Sequence, residues 1–146
     1  MDWSIQACTE RDCRKIVEGL VAYNFKKVPM TQEKPMVNVN RKIVGGDGAL
    51  MAGCLAEVYG WSIACVDILW VDERYRGRGL GSALLTEVER AAAEAHCTLI
   101  HLDTFDFQAK DFYLRHGYEV FGVLEDCPEG HCRYYLKKRL DRRQVN

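Results

Sequence analysis

The sequence has 146 residues, of which 48% are hydrophobic and 28% charged, and its formal net charge is −1. That length suits one globular domain (residues 1–146), and the near-neutral charge argues against intrinsic disorder and against nucleic acid as a partner. The apolar runs are far shorter than the roughly 20 residues that span a membrane, and the amino terminus does not resemble a signal peptide, so we expect a cytoplasmic protein.

Seven cysteines are present, an odd number, and no two of them form a CxxC pair. We therefore expect free thiols in a reducing compartment rather than a disulfide framework. Cys127, His131 and Cys132 form the one group that could be considered for zinc. Adjacent ligands in one short loop cannot complete a tetrahedron by themselves, so no metal is expected.

Hydrophobic periodicity and turn residues predict ten elements along the chain. The first half is predicted to contain a strand over Trp3–Ala7, a helix capped by Thr9 over Glu10–Asn24, an irregular connector over residues 25–36, and strands over Val37–Val44, Ala49–Tyr59 and Ser62–Val71. The second half is predicted to contain a helix over Leu80–His96, a strand over Thr98–Phe105, a short helix over Gln108–His116 and a hairpin of Tyr118–Leu124 with Cys132–Leu140.

This order predicts an α/β (α+β) architecture built on one mixed, mostly antiparallel sheet. The strands before and after the Leu80–His96 helix must be joined by a right-handed parallel β-α-β crossover. Helices are expected on both faces of the sheet, because the first helix carries an apolar stripe that includes Ile16, Val17 and Leu20. Ligands of such folds lie at the carboxyl ends of the strands that precede helices.

The most informative segment runs from Val66 to Ser82. A hydrophobic strand leads into a loop with glycines at positions 77, 79 and 81, and the loop opens a helix. Glycine lets backbone N–H groups approach an anion closely, and a helix start presents unpaired donors at the positive end of its dipole. Three arginines, Arg74, Arg76 and Arg78, add charged donors. The segment therefore predicts a phosphate or pyrophosphate site.

Two common phosphate motifs do not fit this loop. No GxxxxGK run followed by Ser or Thr exists, and GxGxxG fails in both registers because positions 82 and 84 are Ser and Leu. A third pattern, Arg/Gln-x-x-Gly-x-Gly/Ala, is met by residues 76–81. Taken alone this third pattern is weak, and a glycine-rich helix cap without a ligand is the alternative interpretation.

Two stretches of the chain resemble the GNAT N-acetyltransferase superfamily. The strand Ile68–Val71 with the glycine loop resembles the family's acetyl-CoA-binding core, and Ala109–Tyr118 resembles its Ala-x-x-Φ-Tyr-x-x-x-Gly-aromatic helix end. The element order also matches, so the resemblance covers nearly the whole chain. One position departs, because Asp106 stands where the family commonly has Asn. A carboxylate cannot donate a hydrogen bond, so either Gln108 replaces that contact or the contact is missing.

The resemblance implies that acetyl-CoA is the cosubstrate and that its acetyl group passes directly to an amine, without a cysteine nucleophile or a metal. The pyrophosphate would lie on the N–H groups of residues 76–82, and the pantetheine would pair with the backbone of Leu69–Val71. That pairing requires the strands Ser62–Val71 and Thr98–Phe105 to splay apart. The residues expected to hold the cosubstrate are Leu69, Val71, Arg76, Gly77, Arg78, Gly79, Gly81 and Ser82.

Two residues are predicted to move protons. At the position of Tyr113 the family uses a tyrosine that protonates the leaving thiolate, and the alternative for Tyr113 is a core aromatic. An alkylamine is almost fully protonated at pH 7, so a base is useful, and we favour Asp67 on its otherwise apolar strand. Strand alternation places Asp67 on the same face as Leu69 and Val71. A structural carboxylate or an anchor for the substrate ammonium is the alternative role for Asp67.

The acceptor is the part of the function that the sequence specifies least. Asp103, Glu125 and His131 compete with Asp67 as the base. Five aromatics could line a pocket or belong to the core: Tyr59, Trp61, Trp70, Phe105 and Phe107. We predict an N-acetyltransferase acting on a small-molecule or peptide amine. The alternative is a non-catalytic module of the same fold that senses acyl-CoA. The resemblance also makes a homodimer plausible.

Overall fold

The structure, a computed structural model, describes residues 1–140. Its elements are α1 (Glu10–Lys27), β1 (Met36–Asn38), β2 (Arg41–Val44), β3 (Leu50–Tyr59), β4 (Ile63–Val71), a 3-10 turn (Glu73–Tyr75), α2 (Leu80–Glu94), β5 (Leu99–Phe105), α3 (Lys110–Arg115), β6 (Glu119–Glu125) and β7 (Cys132–Arg139). Among the described residues, no helix is long and apolar enough to cross a membrane.

The strands form one seven-stranded sheet in the order β1-β3-β4-β5-β7-β6, and β2 pairs with β3 beside β1. Every pairing is antiparallel except that of β4 with β5, which is parallel and is connected through α2. The predicted mixed sheet, its single parallel crossover and its closing hairpin are thus confirmed. The carboxyl end of β4 lies directly before the glycine loop, as the prediction required.

One predicted strand, Val37–Val44, is divided into β1 and β2. The interruption falls at Val39 and Asn40, where the Asn40 side-chain oxygen accepts a hydrogen bond from the Ala56 N–H at 3.2 Å. The Val39 N–H donates to the Ala56 carbonyl at 2.7 Å. A side chain therefore replaces one backbone partner of β3, and this substitution breaks the strand into two short pieces.

The core lies between α2, α3 and one face of the sheet, which we call the helix face. Leu84, Leu85 and Val88 of α2 are buried against small residues of β3 such as Ala52 and Cys54. The buried residues of α2 also include Ala92 and Ala93. Small side chains on β3 let α2 approach the sheet closely, which positions the helix start beside β4.

The strand predicted at the amino terminus is wrong, whereas the predicted capping of the first helix by Thr9 is confirmed. Residues 1–9 form neither helix nor strand. Thr9 caps α1 by accepting from the Asp12 N–H, and the Asp12 carboxylate accepts from the Thr9 N–H in return. A strand needs a hydrogen-bonding neighbour, and none of residues 1–20 is even partly buried, so Trp3–Ala7 finds no neighbour within its own chain.

The apolar stripe of α1 also lacks a surface to cover. None of the residues of α1 is buried, and Ile16, Val17 and Leu20 are 61%, 60% and 60% exposed. The expectation of helices on both faces is therefore met on one face only, because α2 and α3 share the helix face. The opposite side of the sheet, which carries Leu55, Glu57, Tyr59, Cys65 and Ile68, is called the open face below.

The buried thiols of the core give a prediction about alkaline stability. Burial raises the pKa of the Cys54 and Cys97 thiols from 9.0 to about 11. Between pH 9 and pH 11 the unfolded chain loses protons that the folded chain keeps, so the free energy of unfolding should fall, by up to about 2.7 kcal/mol per thiol. Urea unfolding under reducing conditions at several pH values measures this dependence.

The matched comparison uses cysteines at the surface. Replacing Cys54 and Cys97 together with Ala should reduce the pH dependence between 9 and 11, because alanine does not ionise. The remaining dependence comes from three other groups whose pKa values burial also raises: Cys65, Tyr113 and Tyr118. Replacing Cys8 and Cys13, which are exposed, should leave the dependence unchanged. An equal slope in both double variants would show that burial of these two thiols is not its origin.

Candidate active site

The site begins where β4 and β5 separate. Their parallel pairing runs only from Ile63 with Leu99 to Val66 with Leu102. Beyond it, β5 continues to pair with β7 on its other edge, and the Asp106 N–H extends that pairing by donating to the Cys132 carbonyl at 2.9 Å. The edge of Leu69–Val71 that faces β5 is left without a strand partner. The predicted splay is therefore present, and it opens a cleft between the two strands.

A bulge at Asp67 produces this separation. In the register with β3, Leu55 pairs with Ile68 but the next pair is Ala56 with Val66, so Asp67 is an extra residue without a partner. Such bulges bend a strand and increase its twist. The core-facing residues change accordingly from Ala64 and Val66 before the bulge to residues 69 and 71 after it. The bulge thus carries the end of β4 away from β5.

The bulge also corrects the predicted orientation of Asp67. Simple alternation placed its side chain on the same face as Leu69 and Val71, which pack against the core. In the structure the Cys65 thiol lies 3.9 Å from the Asp67 carboxylate, and Cys65 pairs with Glu57 on the open face. Asp67 is exposed rather than held in an apolar strand. Alternation fails here because a bulge adds one residue to one strand only.

The glycine loop presents a run of unsatisfied backbone donors. None of the N–H groups of residues 77–82 donates to an acceptor within residues 1–140, and the first turn of α2 is closed by Ala83 donating to Gly79 at 3.0 Å. Gly77 and Gly79 have φ values of +76° and +79°, where a side chain would be strained. The loop therefore has a backbone conformation that glycine adopts more easily than other residues, and it offers N–H groups to an anion.

The three arginines of this loop have different partners. Arg74 binds the Asp72 carboxylate through two nitrogens at 3.0 Å and holds the pKa of Asp72 down to about 2. Arg78 lies over the Tyr75 ring. Arg76 donates from Nε to the Val71 carbonyl at 3.1 Å, which ties the loop to the end of β4. Arg76 is the arginine that reaches into the cleft.

Three cavities follow one another along the cleft, and most of the predicted residues line them. The loop cavity, about 310 Å³, includes Val71, Arg76, Gly77, Gly79, Gly81 and Ser82 in its lining. The central cavity, about 460 Å³, shares Val71, Arg76, Gly81 and Phe112 with it and adds Leu69, Trp70, Phe107, Gln108 and Tyr113. The outer cavity, about 290 Å³, includes Asp67, Ile68, Leu69, Asp103, Phe105, Gln108, Tyr113 and Arg133.

These cavities form one path because neighbouring cavities share wall residues. One predicted residue, Arg78, is not part of the loop cavity's lining, whereas Ser82 belongs to it and its hydroxyl is bonded to the His116 ring at 2.9 Å. Of the five suggested aromatics, Trp70, Phe105 and Phe107 line the path, and Tyr59 and Trp61 do not line these three cavities. Phe112 also lines the path, because α3 turns this side chain toward Gly81.

Tyr113 stands in the wall shared by the central and outer cavities. The residue is 6% exposed, and its hydroxyl makes no hydrogen bond within residues 1–140, yet it is not sealed from solvent as the Tyr118 hydroxyl is. Burial, followed by the charges of Cys54 and Asp103, raises the pKa of Tyr113 to about 12. The phenol therefore stays protonated at neutral pH and can donate its proton.

Carboxylates gather at the outer end of the path. Asp67 and Asp103 both line the outer cavity, and Asp103 is paired with Arg133 at 2.7 Å. Glu57, which the sequence reading missed, lies nearby on the open face, and burial and the charge of Asp67 raise its pKa. The signal available in the sequence was the position of Glu57 in the alternation of β3, which places it on the same face as Leu55 and Tyr59.

The remaining candidate bases, Glu125 and His131, do not line the outer cavity, and His131 is bonded to Asp106 at 2.9 Å.

The departure at Asp106 has a structural explanation. Its carboxylate accepts from the Cys132 N–H at 2.9 Å as well as from His131, and these bonds lower the pKa of Asp106. Asp106 thus joins the end of β5 to the start of β7. Gln108 accepts from the Phe105 N–H at 2.8 Å through its side-chain oxygen, and its amide nitrogen has no acceptor within residues 1–140. Gln108 therefore has a side-chain donor to offer in the central cavity.

Metal-binding side chains are not clustered in the described part of the chain. Residues 1–140 contain no group of three or more histidine, cysteine or acidic side chains that could hold an ion together. Cys127 and Cys132 are free, and His131 is engaged by Asp106.

Known proteins were compared with this chain in sequence and in structure. A family model described as an acetyltransferase (GNAT) domain matches residues 36–120. The blasticidin-S acetyltransferase of Streptomyces morookaense is 36% identical over 117 residues, which cover 80% of this chain and 85% of that protein. These matches span both the strand–loop–helix segment and the Tyr113 motif.

Solved structures agree with the sequence matches. The crystal structure of an acetyltransferase from Bacillus cereus superposes with a TM-score of 0.88 at 37% identity, covering 94% of this chain and 98% of that one. A protein assigned as a streptothricin acetyltransferase of Bacillus anthracis, solved in complex with acetyl coenzyme A, gives a TM-score of 0.64 at 19% identity, covering 75% and 65% of the two chains. At that identity the second likeness shows the fold alone.

Proposed function

Because this chain belongs to the GNAT acetyltransferase family and is an acyltransferase, we propose that it transfers the acetyl group of acetyl-CoA to the amine of a small molecule. The observation that carries the proposal is the continuous path from the glycine loop to the outer cavity, with Tyr113 in the shared wall. Anion donors lie at one end of this path and carboxylates at the other. A thioester held between them would meet an amine beside the tyrosine.

The free groups of the cleft fit the parts of acetyl-CoA. The N–H groups of residues 77–82 have no acceptors of their own and would bind the pyrophosphate, with Arg76 adding a charged donor. The unpaired edge of Leu69–Val71 would take up the amides of the pantetheine as a neighbouring strand would. The Gln108 amide nitrogen would donate to the same arm, in place of the asparagine that the family commonly has.

The chemistry needs one proton removed and one supplied. The acceptor amine gives up a proton, forms a bond to the acetyl carbon, and the carbon–sulfur bond breaks with the electron pair leaving on sulfur. Asp67, exposed in the outer cavity, would receive the amine proton directly or through water. Tyr113, protonated because of its raised pKa, would donate its proton to the thiolate. The free cysteines are not required as nucleophiles.

The acceptor is best described as a cationic small-molecule amine. Glu57, Asp67 and Asp103 place negative charge around the outer cavity, and Arg133 balances only the last of them. An ammonium group is attracted by such a site and then loses its proton beside it. The name of the relative from Streptomyces morookaense gives blasticidin S as the substrate of that protein, and we include this compound in the acceptors to be tested.

Thiol release tests the function as a whole. With acetyl-CoA present, at least one member of a panel of blasticidin S, polyamines, aminoglycosides and peptide amines should release free CoA and gain 42 mass units, roughly one acetyl group for one proton. Asp67→Asn should lower the rate, because an amide cannot accept the amine proton. Binding of acetyl-CoA without release with any amine would favour the acyl-CoA sensor.

Gly81 allows the cosubstrate site to be tested apart from catalysis. Acetyl-CoA at about 100 times its Kd should add about 2.7 kcal/mol of stability and raise Tm by several degrees. Gly81→Val should abolish this rise, because Gly81 lines both the loop and the central cavities. The variant should still fold, since an added Cβ meets the Phe112 ring at 3.5 Å and the Val71 side chain at 3.7 Å. Differential scanning fluorimetry gives both values.

Gly46→Val is the matched control, because an added Cβ at Gly46 meets nothing within 4 Å and the residue lies in the β2–β3 turn. This variant should keep the full ligand-induced rise. No rise in the parent protein at millimolar acetyl-CoA would rule out the proposed cosubstrate.

Tyr113→Phe tests the proton donor. The ring keeps its packing, so the ligand-induced rise in Tm should remain. An interaction made only in the transition state is lost, so kcat and kcat/KM should fall together by about 10–100-fold. Steady-state kinetics of CoA release measures this effect.

Tyr118→Phe is the control for Tyr113→Phe. The two rings are in edge contact at 5.6 Å, and the Tyr118 hydroxyl is buried without a partner. Removing that hydroxyl should leave activity unchanged and should not lower stability, because a buried group without a hydrogen bond is unfavourable. If Tyr113→Phe retains activity within threefold of the parent, the Tyr113 hydroxyl is only a packing group.

A further inference from the structure

We propose that the acceptor amine carries a planar conjugated ring and that Phe107 and Trp70 hold this ring in the cleft. This role rests on the proposed function, because it concerns the same site. Trp70 lies near the end of β4 and Phe107 follows β5, so each belongs to one of the two strands that separate. Both line the central cavity of about 460 Å³, as does Tyr113. A flat ring in this cavity therefore has an aromatic side chain on the β4 side and another on the β5 side, close to the proton donor.

The Phe107 ring has a fixed plane and an exposed surface. Phe105, the last residue of β5, stacks on it with ring centroids 5.1 Å apart and an angle of 4° between the planes. The His131 ring makes an edge contact with Phe107 at 5.3 Å, and Asp106 holds that imidazole at 2.9 Å. Phe107 is nevertheless 59% exposed. A ring that is already ordered loses little conformational freedom when a ligand packs on it, so Phe107 can act as a stacking platform.

Phe105 is held in turn by the wall of the outer cavity. The Arg133 guanidinium lies over the Phe105 ring, 5.3 Å from its centroid, and the Asp103 carboxylate binds Arg133 at 2.7 Å. All three residues line the outer cavity. Phe107 is thus the exposed member of a layer whose other members fix one another in place. Aromatic pairs prefer offset stacking, so a further ring on Phe107 continues this layer.

Trp70 supplies the aromatic surface on the β4 side. Its partner in the register with β3 is Gly53, which has no side chain to cover the indole. Trp70 is 43% exposed, whereas the aromatic residues of the core, Tyr113 and Tyr118, are 6% and 3% exposed. Packing within the chain therefore does not account for Trp70 or for Phe107. Both leave apolar surface open to a cavity in which a ligand can cover it.

The parallel layer favours a planar ring over a second ammonium group. A cage that binds an ammonium by cation–π attraction surrounds the cation with aromatic faces. Phe105 and Phe107 are parallel instead and offer one flat face. The reacting amine has its own partner in Asp67 of the adjoining outer cavity, whose wall also contains Tyr113. A ring on Phe107 with the amine on a short chain toward Asp67 satisfies both cavities at once.

The test compares 2-phenylethylamine with 2-cyclohexylethylamine, which share a carbon skeleton but have a planar and a puckered ring. CoA release gives kcat/KM for each amine, and the parent should prefer the planar one. Phe107→Leu and Trp70→Leu should each lower the ratio of the two kcat/KM values about 2–10-fold, because stacking is lost while an apolar side chain remains. Intrinsic differences between the two amines are the same for every variant and cancel in this comparison.

Phe121→Leu is the matched control, because Phe121 is 55% exposed on β6 and lines none of the three cavities of the cleft. This variant should leave the ratio unchanged. Phe107→Tyr should also retain the ratio, since tyrosine presents the same flat face. Neither leucine variant of the cleft should raise the KM for acetyl-CoA, because the ring site belongs to the acceptor.

Calorimetric titration of both amines into the protein–CoA complex separates this ring site from the proposed function. A preference in Kd that Phe107→Leu removes, without CoA release from any amine, would support the ring site and contradict acetyl transfer. Transfer with the same ratio in the parent and both leucine variants overturns the ring site alone. So does a parent without preference in rate and in binding.

Two further results would also overturn the ring site. A KM for acetyl-CoA that rises in both leucine variants, at an unchanged ratio, would place the two aromatics against the pantetheine. A kcat/KM for cadaverine that exceeds that of 2-phenylethylamine and falls in Phe107→Leu would indicate an ammonium cage.

Discussion

β4 and β5 share hydrogen bonds only up to Val66, and the extra residue at Asp67 then turns β4 away. Everything in the cleft depends on that separation. It leaves the edge of Leu69–Val71 without a strand partner, and it sets Arg76 at the end of β4 through its bond to the Val71 carbonyl. A continuous sheet at this point would satisfy the backbone of β4 internally and leave no groups for a thioester cosubstrate. The bulge is thus the structural origin of the binding site.

The cleft is also polarised along its length. Unsatisfied N–H groups and the start of α2 give one end a positive potential, and the carboxylates around the outer cavity give the other end a negative one. Between them Tyr113 is kept neutral by burial. This distribution suits a reaction in which an anionic carrier and a cationic amine approach from opposite ends. A proton donor is then available at the place where the two meet.

The amino-terminal helix shows that a locally well-formed element need not be packed in its own chain. α1 has a complete capping box and a regular apolar stripe, so its formation is specified by nearby residues. Its burial, in contrast, is not specified locally, and none of its residues is buried against the rest of the chain.

Sequence by itself determined most of the elements, their order, the glycine loop and the position of Tyr113 on α3, because these depend on local periodicity, turn chemistry and short motifs. Tertiary structure decided which groups meet. The bulge at Asp67 moved this side chain to the open face, since a single inserted residue reverses alternation and leaves no clear mark in the sequence. The same holds for Asp106, whose partners on β7 are more than 20 residues away, and for Trp3–Ala7, which lacks a neighbouring strand. In each case the deciding contact is long-range, and local pattern carries no information about it.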